Sequence, residues 1–149
     1  MRMQLSRCLS LAAWVALVSC GDLAGPKLLS LSRNRALWDS QNLHSYTYHQ
    51  TSSCFCEFSG QTIAVRVEAD TVASVSIVST GQEIRKDFWL TIPGLFDYAA
   101  ELLRAPDLSV KLEYEPSTGH PTFIGVSCPS NVLDCGGTRV IRLVPTPSG

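Results

Sequence analysis

What the chain lacks narrows its function before any motif is found. Basic clusters are scarce: 17% of the 149 residues are charged, and the longest basic run is the pair Arg85-Lys86. A nucleic-acid surface needs several clustered cations to neutralise phosphates, so no nucleic-acid partner is expected. There is no Gly-x-Ser-x-Gly elbow, His-Glu-x-x-His pair, Walker loop or dinucleotide fingerprint, and no Cys-x-x-Cys pair. The chemistry those motifs bring to a site is therefore not expected either, and the chain reads as a non-enzymatic protein without a cofactor. Long apolar runs are missing too. The longest, Leu9 to Val18, is about half of the ~20 residues that cross a bilayer as a permanent helix.

What is present begins with a leader. Arg2 and Arg7 form a positive start, and Leu9 to Val18 forms a short apolar core, the pattern of a secretory signal. Leu17-Val18-Ser19-Cys20 then resembles the bacterial lipobox, in which small and aliphatic residues precede a cysteine. The resemblance implies removal of residues 1–19, diacylglycerol on the Cys20 sulfur and N-acylation with a fatty acid such as palmitate. Several acyl chains anchor far more firmly than one, at ~0.8 kcal/mol per buried CH₂. The plainer alternative is an ordinary signal peptide with an incidental cysteine at its end. Removing the leader discards Cys8, Arg2 and Arg7 and takes the formal charge from −1 to −3. Residues 20–26 read as a lipidated cysteine and tether, 27–145 as one domain, and 146–149 as a disordered tail.

At 45% hydrophobic the composition is that of a folded domain, and its length leaves room for one. Lys27 to Asn42 has Leu28, Leu31 and Trp38 on one side at helical spacing, with Ser30 or Ser32 available as a cap. From Ser45 the period becomes two: Tyr46 and Tyr48 share one face, Thr47 and the solvated His49 the other. Thr62 to Glu68 alternates cleanly, and a turn at Ala69-Asp70 leads to Thr71 to Val78, with Ala73, Val75 and Ile77 inward. Thr91 then caps a second helix with Pro93 in its first turn, and Ile92, Leu95, Phe96, Ala99, Leu102 and Leu103 form its apolar stripe. Ala105-Pro106 ends it. Strands follow at Leu108 to Tyr114, Thr122 to Cys128 and Thr138 to Val144.

The order is therefore αβββ-αβββ. The expected fold is α+β and two-layered, an antiparallel sheet of about six strands with both helices on one face.

Four cysteines stay in the mature chain: Cys54, Cys56, Cys128 and Cys135. Outside the cytoplasm four cysteines usually form two disulfides, with three possible connectivities. Local pairing gives Cys54–Cys56 and Cys128–Cys135. The first of these requires a bulge or a strand end, because residues i and i+2 of a regular strand lie nearly ~7 Å apart. Crossed pairing staples the first strand to the last loop. The alternative use of Cys54 and Cys56 is a thiolate metal site with His44, His49 or His120 nearby, as in a periplasmic metal-binding protein. His44 reads as part of the joint between helix and strand, and His120 as part of a turn. Trp89 is the candidate exposed apolar feature, its bland reading being a staple onto the second helix.

Three segments carry a resemblance to a known family: Cys54-Phe55-Cys56, Thr91-Ile92-Pro93-Gly94-Leu95-Phe96-Asp97 and Gly119-His120-Pro121-Thr122. With the helix ending at Trp38 and the Ser-Tyr-x-Tyr that follows, they resemble the bacterial lipoproteins grouped as domain of unknown function 6174, over Trp38 to Val144. The resemblance brings no established activity. It implies a secreted, often lipidated small domain in the cell envelope, facing the periplasm or the exterior. It also implies that Cys-Phe-Cys need not depend on the later cysteines, which favours local pairing. Acidic residues that commonly follow the Gly-x-Pro strand in that family are here replaced by Cys128 and Cys135, with only Asp134 remaining. The expected role is a membrane-anchored binding domain whose sheet face or loops meet an envelope protein or small molecule.

Overall fold

The structure is a computed structural model, described for residues 25–54, 57–127 and 135–146. Helix α1 spans Gly25–Asp39 and α2 spans Ile92–Arg104. The strands are β1 (Tyr46–Ser53), β2 (Ile63–Glu68), β3 (Thr71–Ile77), β4 (Ser109–Tyr114), β5 (Pro121–Ser127) and β6 (Gly137–Pro145). They form one antiparallel sheet in the order β3-β2-β1-β6-β5-β4. The α+β class, the six strands and the two helices are those the periodicity predicts.

Helix α1 starts two residues before its expected position, inside the segment read as tether. Pro26 fits a first turn because its missing N–H would be unpaired there in any case. Ser30 and Ser32 lie within the helix and do not cap it; the Ser32 hydroxyl donates back to the Leu29 carbonyl at 3.0 Å. Leu31 and Trp38 are buried as their spacing requires.

Strand β1 buries Tyr46 and Tyr48 and continues the same face into Gln50. In β2 the buried set is Ile63, Val65 and Val67. The β2–β3 turn places Ala69 and Asp70 at φ 44° and 61°, the backbone of a two-residue primed turn that follows the strand twist. A bulge at Arg66/Val67 shifts the register, so Val67 faces Val72. Val72 therefore packs on the core together with Val75 and Ile77, where Ala73 was expected.

The two αβββ units are not arranged alike. In the first, the first strand is innermost; in the second, the last strand is. Hence β1 and β6 meet at the centre of the sheet. The segment from β3 to β4, which contains α2, carries the chain from one edge to the other. A single core contains Leu31 and Trp38 of α1, Ile92, Leu95, Phe96 and Ala99 of α2, and the inward residues of the sheet, so both helices cover one face. On the opposite face the Phe123 ring lies over Gly125 and Gly137, where an added Cβ would come within 2.5 Å and 2.9 Å of it. The Arg139 guanidinium sits 4.6 Å from the centre of that ring.

Two hydroxyls of β1 hold the start of α2. The Tyr46 hydroxyl accepts from the Ile92 N–H at 2.9 Å, and the Tyr48 hydroxyl donates to the Leu90 carbonyl. Ile92 is the first helical residue, so its N–H has no partner within the helix. Thr91 supplies another, accepting from the Gly94 N–H at 3.1 Å. Burial pushes the Tyr46 phenol up to about 12 and the Tyr48 phenol higher still, so both stay protonated. Tyr48→Phe leaves the Leu90 carbonyl without this donor. It should lower unfolding stability by about 1–3 kcal/mol with the fold retained. An unchanged urea midpoint at unchanged slope would show that water replaces the hydroxyl.

Candidate functional site

The two helices leave part of the sheet face uncovered beside α2. A cavity of about 910 Å³ opens there. Gln50 and Ser52 of β1 and Thr138 of β6 contribute from the sheet, and Leu95 and Tyr98 from α2. The segment 82–90 after β3 and the pair Glu57 and Phe58 before β2 complete it. Backbone bonds tie that segment to the sheet. Ile84 N–H donates to the Val75 carbonyl at 3.0 Å, and Ile77 N–H to the Gln82 carbonyl at 2.9 Å. Its far end is held by Tyr48 through Leu90. The wall is thus fastened at both ends.

Four of the fourteen described lining residues are aromatic: Phe58, Phe88, Trp89 and Tyr98. Trp89 is half-buried and packs against Phe58, ring centres 6.2 Å apart. Phe88 is 79% exposed and Tyr98 42% exposed. The exposed aromatic of the Phe88-Trp89 pair is therefore Phe88, whereas the sequence pointed to Trp89. The residue next to the helix cap is Leu90, which leaves Trp89 to pack on Phe58.

Gln50 is the polar residue that sequence reading missed. Only 7% of it is exposed, and its carboxamide makes no hydrogen bond among the described residues. Its position could have been found from alternation, since Gln50 follows Tyr46 and Tyr48 at a spacing of two. Of the groups with shifted pKa values (Tyr46, Tyr48, His49, Glu113, Tyr114 and His120) none lines the cavity. What it offers is shape, aromatic surface and hydrogen bonds.

The cysteine end of the sheet lies next to this cavity. Ser53 pairs with Gly137 at the end of the β1–β6 ladder. Beyond it the backbones stay close: a Cβ added at Gly136 would lie 3.1 Å from the Cys54 Cβ. Cys54 and Cys135 both line a second cavity of about 410 Å³, which shares Ser52, Tyr98 and Thr138 with the first. Neither is without a partner. Cys56, Cys128 and the lipidation candidate Cys20 lie outside the described residues.

The three histidines serve separate contacts. His44 Nδ1 lies 2.8 Å from an Asp70 carboxylate oxygen, and the Asp70 N–H donates to the His44 carbonyl at 2.9 Å, closing the joint before β1. His49 is half-buried on the outer face, where the sequence predicted solvation; burial and then Arg142 lower its pKa. His120 is buried. Its Nδ1 lies 2.6 Å from the Thr118 hydroxyl, and its ring meets Trp38 edge-on at 6.1 Å. Gly119 beside it has φ +78°, and a Cβ there would lie 2.3 Å from the Asn34 carbonyl of α1. The Gly-His-Pro turn thus docks the β4–β5 hairpin on α1, and only glycine permits that approach. No group of three or more His, Cys, Asp or Glu side chains among the described residues is placed to hold a metal.

Residues 30–144 match the model of a family of unknown function, DUF6174. The chain belongs to this family. The match runs from α1 to β6 and so takes in both helices and all six strands. No curated protein and no solved structure matches the chain. DUF6174 membership therefore brings a fold unit without an assigned activity. Within that unit, the segments noted in the sequence hold elements together. Thr91 caps α2, Leu95 and Phe96 fill the core, and Asp97 pairs with Arg35 of α1.

Burial lowers the His120 pKa, and Glu115 opposes it more weakly. The unfolded chain takes up this proton at the ordinary value of 6.5 while the folded chain resists it. The contribution is complete above that value and is lost as the pH falls below it. Melting temperature should fall between about pH 7 and about pH 5.5, and His120→Gln should flatten the slope, with His49 supplying a remainder of the same sign. Glu113, held low first by its bond from Lys111, titrates beneath this window. A slope identical in His120→Gln would remove His120 as its source.

Proposed function

We propose that this chain is a lipid-anchored, extracytoplasmic binding domain of the bacterial cell envelope, and that it takes a small amphiphilic molecule into the cavity beside α2. The observation that carries the binding role is Gln50, mostly buried and without a hydrogen-bond partner among the described residues, lining a cavity with Phe58, Phe88, Trp89 and Tyr98. Its amide is open to the cavity and not sealed from solvent, so a ligand that hydrogen-bonds to it takes the place of water. The volume lies within the ~300–1,000 Å³ typical of small-molecule sites.

The anchor is supported by the leader ending in Leu17-Val18-Ser19-Cys20. Helix α1 begins five residues after Cys20. Such a stretch spans at most about 18 Å, so acyl chains on Cys20 would hold the domain close to the bilayer. Disulfides suit this compartment. Support for pairing across the two cysteine arms comes from the strand ends, which bring Cys54 and Cys135 to one cavity. In that arrangement the bridges close the open end of the β1–β6 ladder.

Two measurements test the proposal. Cys20→Ala should abolish incorporation of labelled palmitate and release the protein from membranes; a variant that is still acylated would end the lipoprotein reading. For binding, the purified full chain is screened by thermal shift against small amphiphiles of either charge and none. A ligand at 100 times its Kd should stabilise the fold by about 2.7 kcal/mol, and Gln50→Leu should weaken that shift. No shift from any member of the panel would count against the cavity as a binding site.

A further inference from the structure

The charge around the cavity points to the class of molecule it takes, given that the binding role above holds. Glu57 and Glu83 line it, both exposed, and neither forms an ion pair among the described residues. Arg85, the only cation among the described lining residues, is already engaged. Its guanidinium lies 2.9 Å from the Asp87 carboxylate and 5.6 Å above the centre of the Phe88 ring. The two glutamates are thus left uncompensated in a cavity that Phe88, Trp89 and Tyr98 also line. An aromatic face attracts a cation through its quadrupole, and a nearby carboxylate adds a charge of the right sign. The Arg85–Phe88 contact shows an aromatic ring at this rim already accepting one. At depth Gln50, more than nine-tenths buried, offers both an N–H donor and a carbonyl acceptor.

We infer that the cavity selects an organic cation: an ammonium group on an aromatic or apolar body, carrying a hydrogen-bonding group at its far end. The ammonium stays at the rim with Glu57, Glu83 and the aromatic faces. The body displaces water from the wall formed by Phe58, Trp89 and Leu95. The far polar group reaches Gln50. An anion of the same shape meets the uncompensated glutamates and is repelled.

Tyramine has these three features. Para-ethylphenol lacks the ammonium, and para-hydroxyphenylacetate replaces it with a carboxylate. Titrating each into the full chain by calorimetry should show tyramine binding about tenfold or more tightly than para-ethylphenol, and the carboxylate more weakly than both. The double variant Glu57→Gln/Glu83→Gln should erase the preference for tyramine while keeping para-ethylphenol binding, which also reports that the fold is intact. Gln50→Leu should bring tyramine down to the affinity of phenethylamine, which lacks the hydroxyl. Equal binding of tyramine and para-ethylphenol, or tighter binding of the carboxylate, overturns the cation inference and leaves the binding role standing. Silence from all of these probes, with other amphiphiles shifting the melting temperature, overturns the cation inference alone. Silence throughout overturns both.

Discussion

The grip of two tyrosine hydroxyls on the start of α2 is the constraint on which the other features depend. Tyr46 and Tyr48 reach across more than forty residues of sequence to Ile92 and Leu90. One hydroxyl accepts a helix N–H that no intrahelical carbonyl can reach, and the other donates to the carbonyl two residues earlier. The rings themselves are almost wholly buried, so apolar burial and polar satisfaction act at the same point. With the start of α2 set above β1, the helix direction decides which inward side chains it covers. Phe96 then stacks near Tyr114, ring centres 6.3 Å apart, and Asp97 comes within reach of Arg35 on α1.

The same constraint creates the cavity. Six strands about 4.8 Å apart present a face wider than two packed helices of about 10 Å each can cover. The tyrosine pair holds the 82–90 segment at its Leu90 end, and the Val75–Ile84 bond holds it near the start. The segment therefore forms one wall of the cavity. Aromatic side chains from three separate parts of the chain face the space that results. Such a site is shaped by supports outside it. A ligand would meet walls already in place and lose little affinity to ordering them.

Much of the fold was legible because its signals are local. The alternation Ile63, Val65, Val67 needs only a two-residue period to define a half-buried strand. Thr91, Pro93 and Ala105-Pro106 mark the ends of α2 by short-range hydrogen bonding and sterics. The structure departs from the local pattern where a neighbouring element intervenes. The bulge at Arg66/Val67 turned Val72 toward the core, and bulges depend on the partner strand. Helix α1 begins earlier than its periodicity indicates, because Pro26 resembles a tether residue unless a helix is known to follow. The site was less legible than the fold. Gln50 lies on the inward face by simple alternation, yet a glutamine followed by the polar run Thr51 to Ser53 reads as ordinary surface. Nothing in one strand shows that the facing helix stops short of it.

By itself the sequence determined the class of fold, the element order and most of the apolar faces. These follow from periodicity, capping and composition, all of which act over a few residues. Tertiary structure alone decided that β1 and β6 are neighbours, that Gly119 docks on α1, and that Glu57, Glu83, Phe88 and Gln50 surround one space. Those are contacts between residues distant in the chain. They follow from how the whole sheet and both helices bury their faces at once, and no local stretch contains that solution.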